Sequence, residues 1–296
     1  MSVLDLRGLN LALLSVLLLI FAWILHKQRG GQTQFWFMGW FALVGATALA
    51  GPLYDSLPVF AGTLLICSTE LAGALFIASV STLCDHPWRR WLLVSAIALP
   101  VISLTLMTRS GIRSGLVAAL LICAALAAIL ALEVQHHGKT DIYVLTTALV
   151  ALLIAAGAAV FVVQNDYGSA VRVLVSSLFL VAGSLYVRKF PRFSLGVLLA
   201  ASGLFSWGTA LFLDTSTGSD TALADPSNGL LMISKYLVAI GMIVTVLEEQ
   251  IEEARVYSKQ LSHQANHDIL TSLPNRILLQ DRLNQALARC RRSKTM

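Results

Sequence analysis

Two ionisable side chains stand where a bilayer would hold them away from water. Glu70 lies near the middle of an apolar run, 58–83, and Lys235 near the start of another, 229–247. A carboxylate or an ammonium in hydrocarbon is costly, so such groups turn toward the interior of a bundle and serve ion coupling, proton coupling or sensing. On a helix Thr63, Gly73, Ala74 and Ser81 share the face of Glu70, a small polar stripe suited to close packing. Lys235 is the candidate partner, although at about 1.5 Å of rise per residue the two differ in depth by roughly 5–9 Å. The structural alternative is a protonated Glu70 hydrogen-bonded to a backbone carbonyl. His26, His86, His136 and His137, with Cys84 and Asp85, fall near the ends of apolar runs. No pair has the helical spacing of metal ligands, so no metal site is expected. No Gly-rich phosphate loop and no serine–histidine–acid pattern occurs, and no residue is assigned to catalysis. Trp36, Trp40, Trp88 and Trp91 fall at expected membrane interfaces, the usual place for membrane aromatics.

The elements that must position these groups follow from composition. Of 296 residues 57% are hydrophobic and 12% charged, with a mean hydropathy of +0.76. A soluble chain is about one quarter charged, and the apolar residues here fall in blocks of about 20, the length that crosses a bilayer as a helix. The expected fold class is all-α: a polytopic transmembrane helix bundle followed by a cytoplasmic linker helix and one further helix. Nine spans are expected, at about 9–25, 35–53, 58–83, 91–107, 115–132, 142–163, 170–187, 193–213 and 229–247. The seventh is the weakest, being short and starting with Arg172. The first is a retained span and not a secretory signal, because Asp5 and Arg7 nearly cancel ahead of it and no small-residue cleavage site follows.

Charge orients the nine spans. One set of loops holds Lys27, Arg29, Arg89, Arg90, Lys139, Arg188, Lys189 and Arg192, and the other holds Arg109, Arg113 and Arg172. Basic residues in short loops mark the cytoplasmic side, which places the N-terminus outside and the C-terminus inside. The longest outer loop, "LDTSTGSDTALADPSNG", is too polar to fold as a domain, so a signal has to be read in the membrane or at its surface. Eight Lys and Arg follow residue 254, against Asp268 and Asp281. A basic tail of this kind suits an anionic bilayer surface, and no nucleic acid partner is expected. Cys67, Cys84, Cys123 and Cys290 form no Cys-x-x-Cys pair and indicate no disulfide framework.

Past the ninth span the composition changes at "LEEQIEEARVYSKQLSHQANHD". Leu247, Ile251, Ala254, Ser258, Leu261 and Ala265 recur at 4-3-4-3-4 spacing, the seam of a two-stranded coiled coil, weakened by the serine. A parallel homodimer is expected through this helix; an amphipathic helix lying on its own protein is the alternative. Three regions result: a membrane region 1–247, a signalling helix 248–266 and a C-terminal segment 267–296.

That segment, "HDILTSLPNRILLQDRLNQALARCRR", resembles the opening of the GGDEF domain, the cyclic-di-GMP signalling module of bacteria. The positions that match are Asp268, Leu270, Thr271, Leu273, Pro274, Asn275 and Arg276, while Ser272 stands where the family has glycine. Leu-Pro is expected to halt the linker helix and Asn275 to cap the next. Leu279, Leu283, Ala286, Leu287 and Cys290 would then form one apolar face. "LLQDRLNQAL" looks most like members that also carry an EAL phosphodiesterase domain, and the multi-span region itself looks like those preceding many GGDEF domains. The resemblance implies a membrane input module in the bacterial inner membrane for a diguanylate cyclase, a phosphodiesterase or both. Mg and GTP are implied only for a complete GGDEF domain, whose metal-binding strand, guanine contacts and signature turn do not occur before Met296. The domain is therefore expected to be cut off just after it begins. A small-molecule or ion permease using Glu70 and Lys235 is the competing expectation.

Overall fold

A backbone with no water to bond must satisfy its own N–H and C=O groups, and a helix does so within one segment. The computed structural model describes residues 3–27, 31–54, 56–80, 87–137, 142–190, 194–213, 229–266, 273 and 275–293, and no strand occurs among them. The helices are α1 (Val3–Lys27), α2 (Gly31–Leu53), α3 (Pro58–Val80), α4 (Pro87–Arg109), α5 (Gly115–His137), α6 (Ile142–Val163), α7 (Tyr167–Lys189), α8 (Leu195–Leu213), α9 (Gly229–Asn266) and α10 (Arg276–Ser293). Each expected apolar run holds a helix over its described residues. Six helices, α2, α3, α4, α7, α8 and α9, are long and apolar enough over their described residues to cross a bilayer. The described parts of α1, α5 and α6 hold shorter apolar stretches, Gly8–Ile24, Gly115–Ala127 and Leu153–Val163.

The chain divides into two compact units, Met1–Val244 and Thr245–Met296. In the first, α3 and α7 occupy the middle. Helix α3 packs on α2, α4 and α7, and α7 packs on α3, α4, α6 and α8. The two run parallel: Leu178 packs against Gly73, Phe179 lies edge-on to Phe76, and Lys189 Nζ donates to the Ser79 carbonyl at 3.1 Å. Helix α8 returns antiparallel, with Ser176 Oγ donating to the Gly208 carbonyl at 2.5 Å. The run that looked weakest as a span is thus the most enclosed, with 72% of its most apolar window buried. Its serines and Arg172 lower its hydropathy because they face helices instead of lipid.

Helices α8 and α9 meet backbone to backbone. A Cβ on Gly241 would lie 2.2 Å from the Ala200 nitrogen, and one on Gly203 would lie 2.7 Å from the Val238 nitrogen. Only glycine permits this approach, the means by which apolar helices gain contact where lipid competes equally for leucine. Ser234 Oγ adds a bond to Ser206 Oγ at 2.8 Å, and Tyr236 donates to Asn10 Oδ1 at 2.8 Å, tying α9 to α1. Other hydroxyls are satisfied within their own helices, as Thr47 is by the Leu43 carbonyl and Ser177 by that of Leu174.

In the second unit α9 continues to Asn266 and α10 begins at Arg276. Pro274 and residues 267–272, where Leu-Pro was expected to halt the linker helix, lie outside the described residues. Asn275 makes the joint. Its amide donates to the Ala265 carbonyl, its backbone N–H to the Asn266 carbonyl at 2.8 Å, and its Oδ1 accepts from Leu278 N at 3.0 Å. One residue thus serves the last carbonyls of α9 and the first free amides of α10, the two sets a helix end leaves open.

Candidate functional site

Glu70 is fully buried at the α3–α4 contact. Its Oε1 accepts the hydroxyl of Thr105, from the penultimate turn of α4, and its Oε2 has no hydrogen-bond partner among the described residues. Neither a backbone carbonyl nor Lys235 fills the expected role. Lys235 holds its ammonium 5.5 Å from the centre of the Trp207 ring instead, a cation–π arrangement that replaces lost hydration with the electron-rich ring face. The two intramembrane charges are not brought together; each has its own partner. A buried carboxyl with one bonded and one open oxygen joins two helices while leaving a place for a proton or a second donor, and an acceptor left open in this way costs about 1–3 kcal/mol.

The Trp207 ring belongs to an aromatic cluster. Phe179 stacks on it at 4.3 Å, Trp40 lies 6.3 Å away and 5.7 Å from Phe76, and Trp36 stacks on Tyr186 at 5.9 Å. Trp36 and Trp40, expected at the interface, are 0% and 1% exposed. They are core residues, four apart on α2, whose large faces fill the space between α2, α3, α7 and α8. Trp88 and Trp91 are exposed. Their α4 segment also carries Arg89 over Trp88 at 5.5 Å.

Of the motif residues, Asn275 is the cap just described, Arg276 opens α10, and Leu273 is exposed. Asp268, Leu270, Thr271 and Pro274 lie outside the described residues, as do Ser81, Cys84, Asp85 and His86. Along α9 the seam residues Leu247, Ile251, Ala254, Ser258, Leu261 and Ala265 are all exposed, and so are Leu279, Leu283 and Leu287 on α10. No group of three His, Cys, Asp or Glu that could hold a metal occurs among the described residues. Sequence reasoning missed Thr105, which sits 35 residues from Glu70 and carries no periodic mark. It also treated Arg109, Arg113 and Arg172 only as loop charges. Comparison with protein-family models, curated proteins and solved structures returns no match.

Proposed function

We propose that this chain is the membrane input module of a bacterial cyclic-di-GMP signalling protein. It crosses the inner membrane nine times, with its C-terminus in the cytoplasm, and transmits a membrane-sensed change through α9 to a GGDEF output domain. The observation that carries this reading is continuity: α9 is one helix of 38 residues from Gly229 to Asn266, and the adjoining stretch, from His267, matches the GGDEF opening at seven positions. Further support comes from the exposed seam on α9, an apolar face with the spacing that two copies of the helix would close. Glu70 is the residue through which the bundle senses, since its open oxygen couples a change in protonation to the α3–α4 contact. The permease alternative needs Glu70 and Lys235 to act as a pair, and nothing in their separate surroundings favours it.

The test joins the chain through its own motif to an active GGDEF domain, in cells lacking other cyclases. Inserting four residues after Ala254 rotates the downstream part of the helix by about 40° relative to a 3.6-residue helix, whereas seven keep the seam close to register. With membrane levels matched, the seven-residue insertion should keep cyclic-di-GMP near that of the uninterrupted fusion and the four-residue insertion should lock it high or low. Equal output from both would remove the transmission claim. The 1–296 chain alone, with none of the family's nucleotide-site residues, should form no cyclic-di-GMP from GTP; product above background would contradict the assignment.

A further inference from the structure

The three arginines that run against the loop charge bias are collected at one place. Arg109 ends α4, Arg113 lies in the turn to α5 and Arg172 is in the second turn of α7, and all three line a cavity of about 220 Å³. Two tight turns form its rim, and they are built alike. Gly111, at φ 77°, closes α4, with Ile112 N bonded to the Met107 carbonyl and Gly111 N to that of Thr108. Asn165, at φ 59°, closes α6, with Asp166 N bonded to the Phe161 carbonyl and Asn165 N to that of Val162. This paired bonding is the left-handed C-terminal motif that ends many helices, and glycine or asparagine is the residue that tolerates it. The rim is therefore preorganised.

The one acid in the lining is already engaged. Asp166 caps α7, accepting from Ser169 N at 3.0 Å. Burial pushes its carboxyl up, but the bonds from Ser169 and the charge of Arg172 outweigh that and hold it below the usual aspartate value. It is a settled anion. Arg172, 4% exposed, donates to Ser169 Oγ at 2.9 Å. Among the described residues no ion pair holds Arg109 or Arg113. Three arginines thus line the cavity against a single aspartate. Arg172 is already engaged, and Arg109 and Arg113 carry the charge offered to an occupant. Thr105, which donates to Glu70, also lines the cavity.

We propose that this cavity binds a small oxyanion, a carboxylate or phosphate group, either free in solution or as the headgroup of an anionic lipid. Guanidinium forks match two oxygens of such a group at once, with charge-assisted hydrogen bonds. The volume lies below the about 300–1,000 Å³ of sites for drug-sized molecules, which sets the ligand class as small. Thr105 then connects the occupant to the Glu70 carboxyl. The binding claim stands independently of the cyclic-di-GMP reading, and its test reads binding alone.

The 1–296 chain is placed in phosphatidylcholine nanodiscs and titrated with succinate and with inorganic phosphate by calorimetry. Its melting is also compared between phosphatidylcholine and phosphatidylglycerol nanodiscs. Saturable binding of either free anion, weakened about tenfold or more by Arg109→Gln and by Arg113→Gln but not by Arg255→Gln, establishes a soluble ligand. A rise in melting temperature in phosphatidylglycerol that both variants abolish, without binding of the free anions, assigns the headgroup. Neither effect, or an effect that persists in Arg109→Gln and Arg113→Gln, overturns the proposal. Arg113 is exposed, so its replacement leaves the packing intact and the outcome readable.

Discussion

The two units differ in how much they enclose: both expose apolar side chains, but among the described residues only the first has a buried core between its helices. In Met1–Val244 the middle helices hide even their polar groups, and aromatic rings, glycines and serines interlock between helices. In Thr245–Met296 the leucines of both helices stand in the open, with Leu261 65% and Leu279 62% exposed. The first unit is a finished structure whose chemistry lies inside it. The second holds two amphipathic helices whose apolar faces are exposed. Substitutions should therefore act through internal packing in the bundle and through association in the tail.

The largest effect should come from the α8–α9 contact. Gly241→Leu would put a side chain into the Ala200 backbone, beyond the about 1–3 kcal/mol of ordinary overpacking. Folded protein in membranes should be lost, while Gly45→Leu, at a position with nothing within 4 Å, should leave yield and elution profile unchanged. Equal yields would mean that the bundle is looser than described. Next comes the buried acid. Thr105→Val leaves both Glu70 oxygens unbonded and should cost about 1–3 kcal/mol in a thermal or denaturant melt, whereas Glu70→Gln should preserve assembly and lock the output of the fusion. A Thr105→Val melt matching the parent would show that the hydroxyl contributes nothing.

Smaller effects belong to the tail. Asn275→Ala removes the cap shared by α9 and α10 and should cost about 1 kcal/mol, seen as faster amide exchange at Leu278 with the bundle unaffected. Leu283→Glu should change the stability of the chain by less than about 0.5 kcal/mol, because the side chain touches little. A larger loss would mean that the α10 face is already covered.

The same contrast explains what was legible in the sequence. Helical segments could be read because composition in 20-residue blocks reports the solvent around a helix. The Asn275 cap was readable because capping is local. Helix α7 was underrated because hydropathy measures affinity for lipid, and Arg172, Ser176 and Ser177 are satisfied by protein instead. That Trp36 and Trp40 turn inward was not legible, because an aromatic near a span end packs equally well against lipid or against protein. The Glu70–Thr105 bond and the gathering of three arginines join residues far apart in the chain, and no periodicity announces such contacts.

The central claim is that the signal leaves the bundle along a seam shared by two copies of α9, and crosslinking measures that seam directly. With Cys67, Cys84, Cys123 and Cys290 replaced by serine, single cysteines are placed on the seam at Ala254 and Leu261 and off it at Val256 and Gln260, and membranes are mildly oxidised. Knobs-into-holes packing brings matching seam positions of a parallel pair together and keeps outward positions apart. Disulfide-linked dimer should dominate for Ala254→Cys and Leu261→Cys and stay near background for Val256→Cys and Gln260→Cys. Equal linkage at all four positions, or none at any, would contradict it.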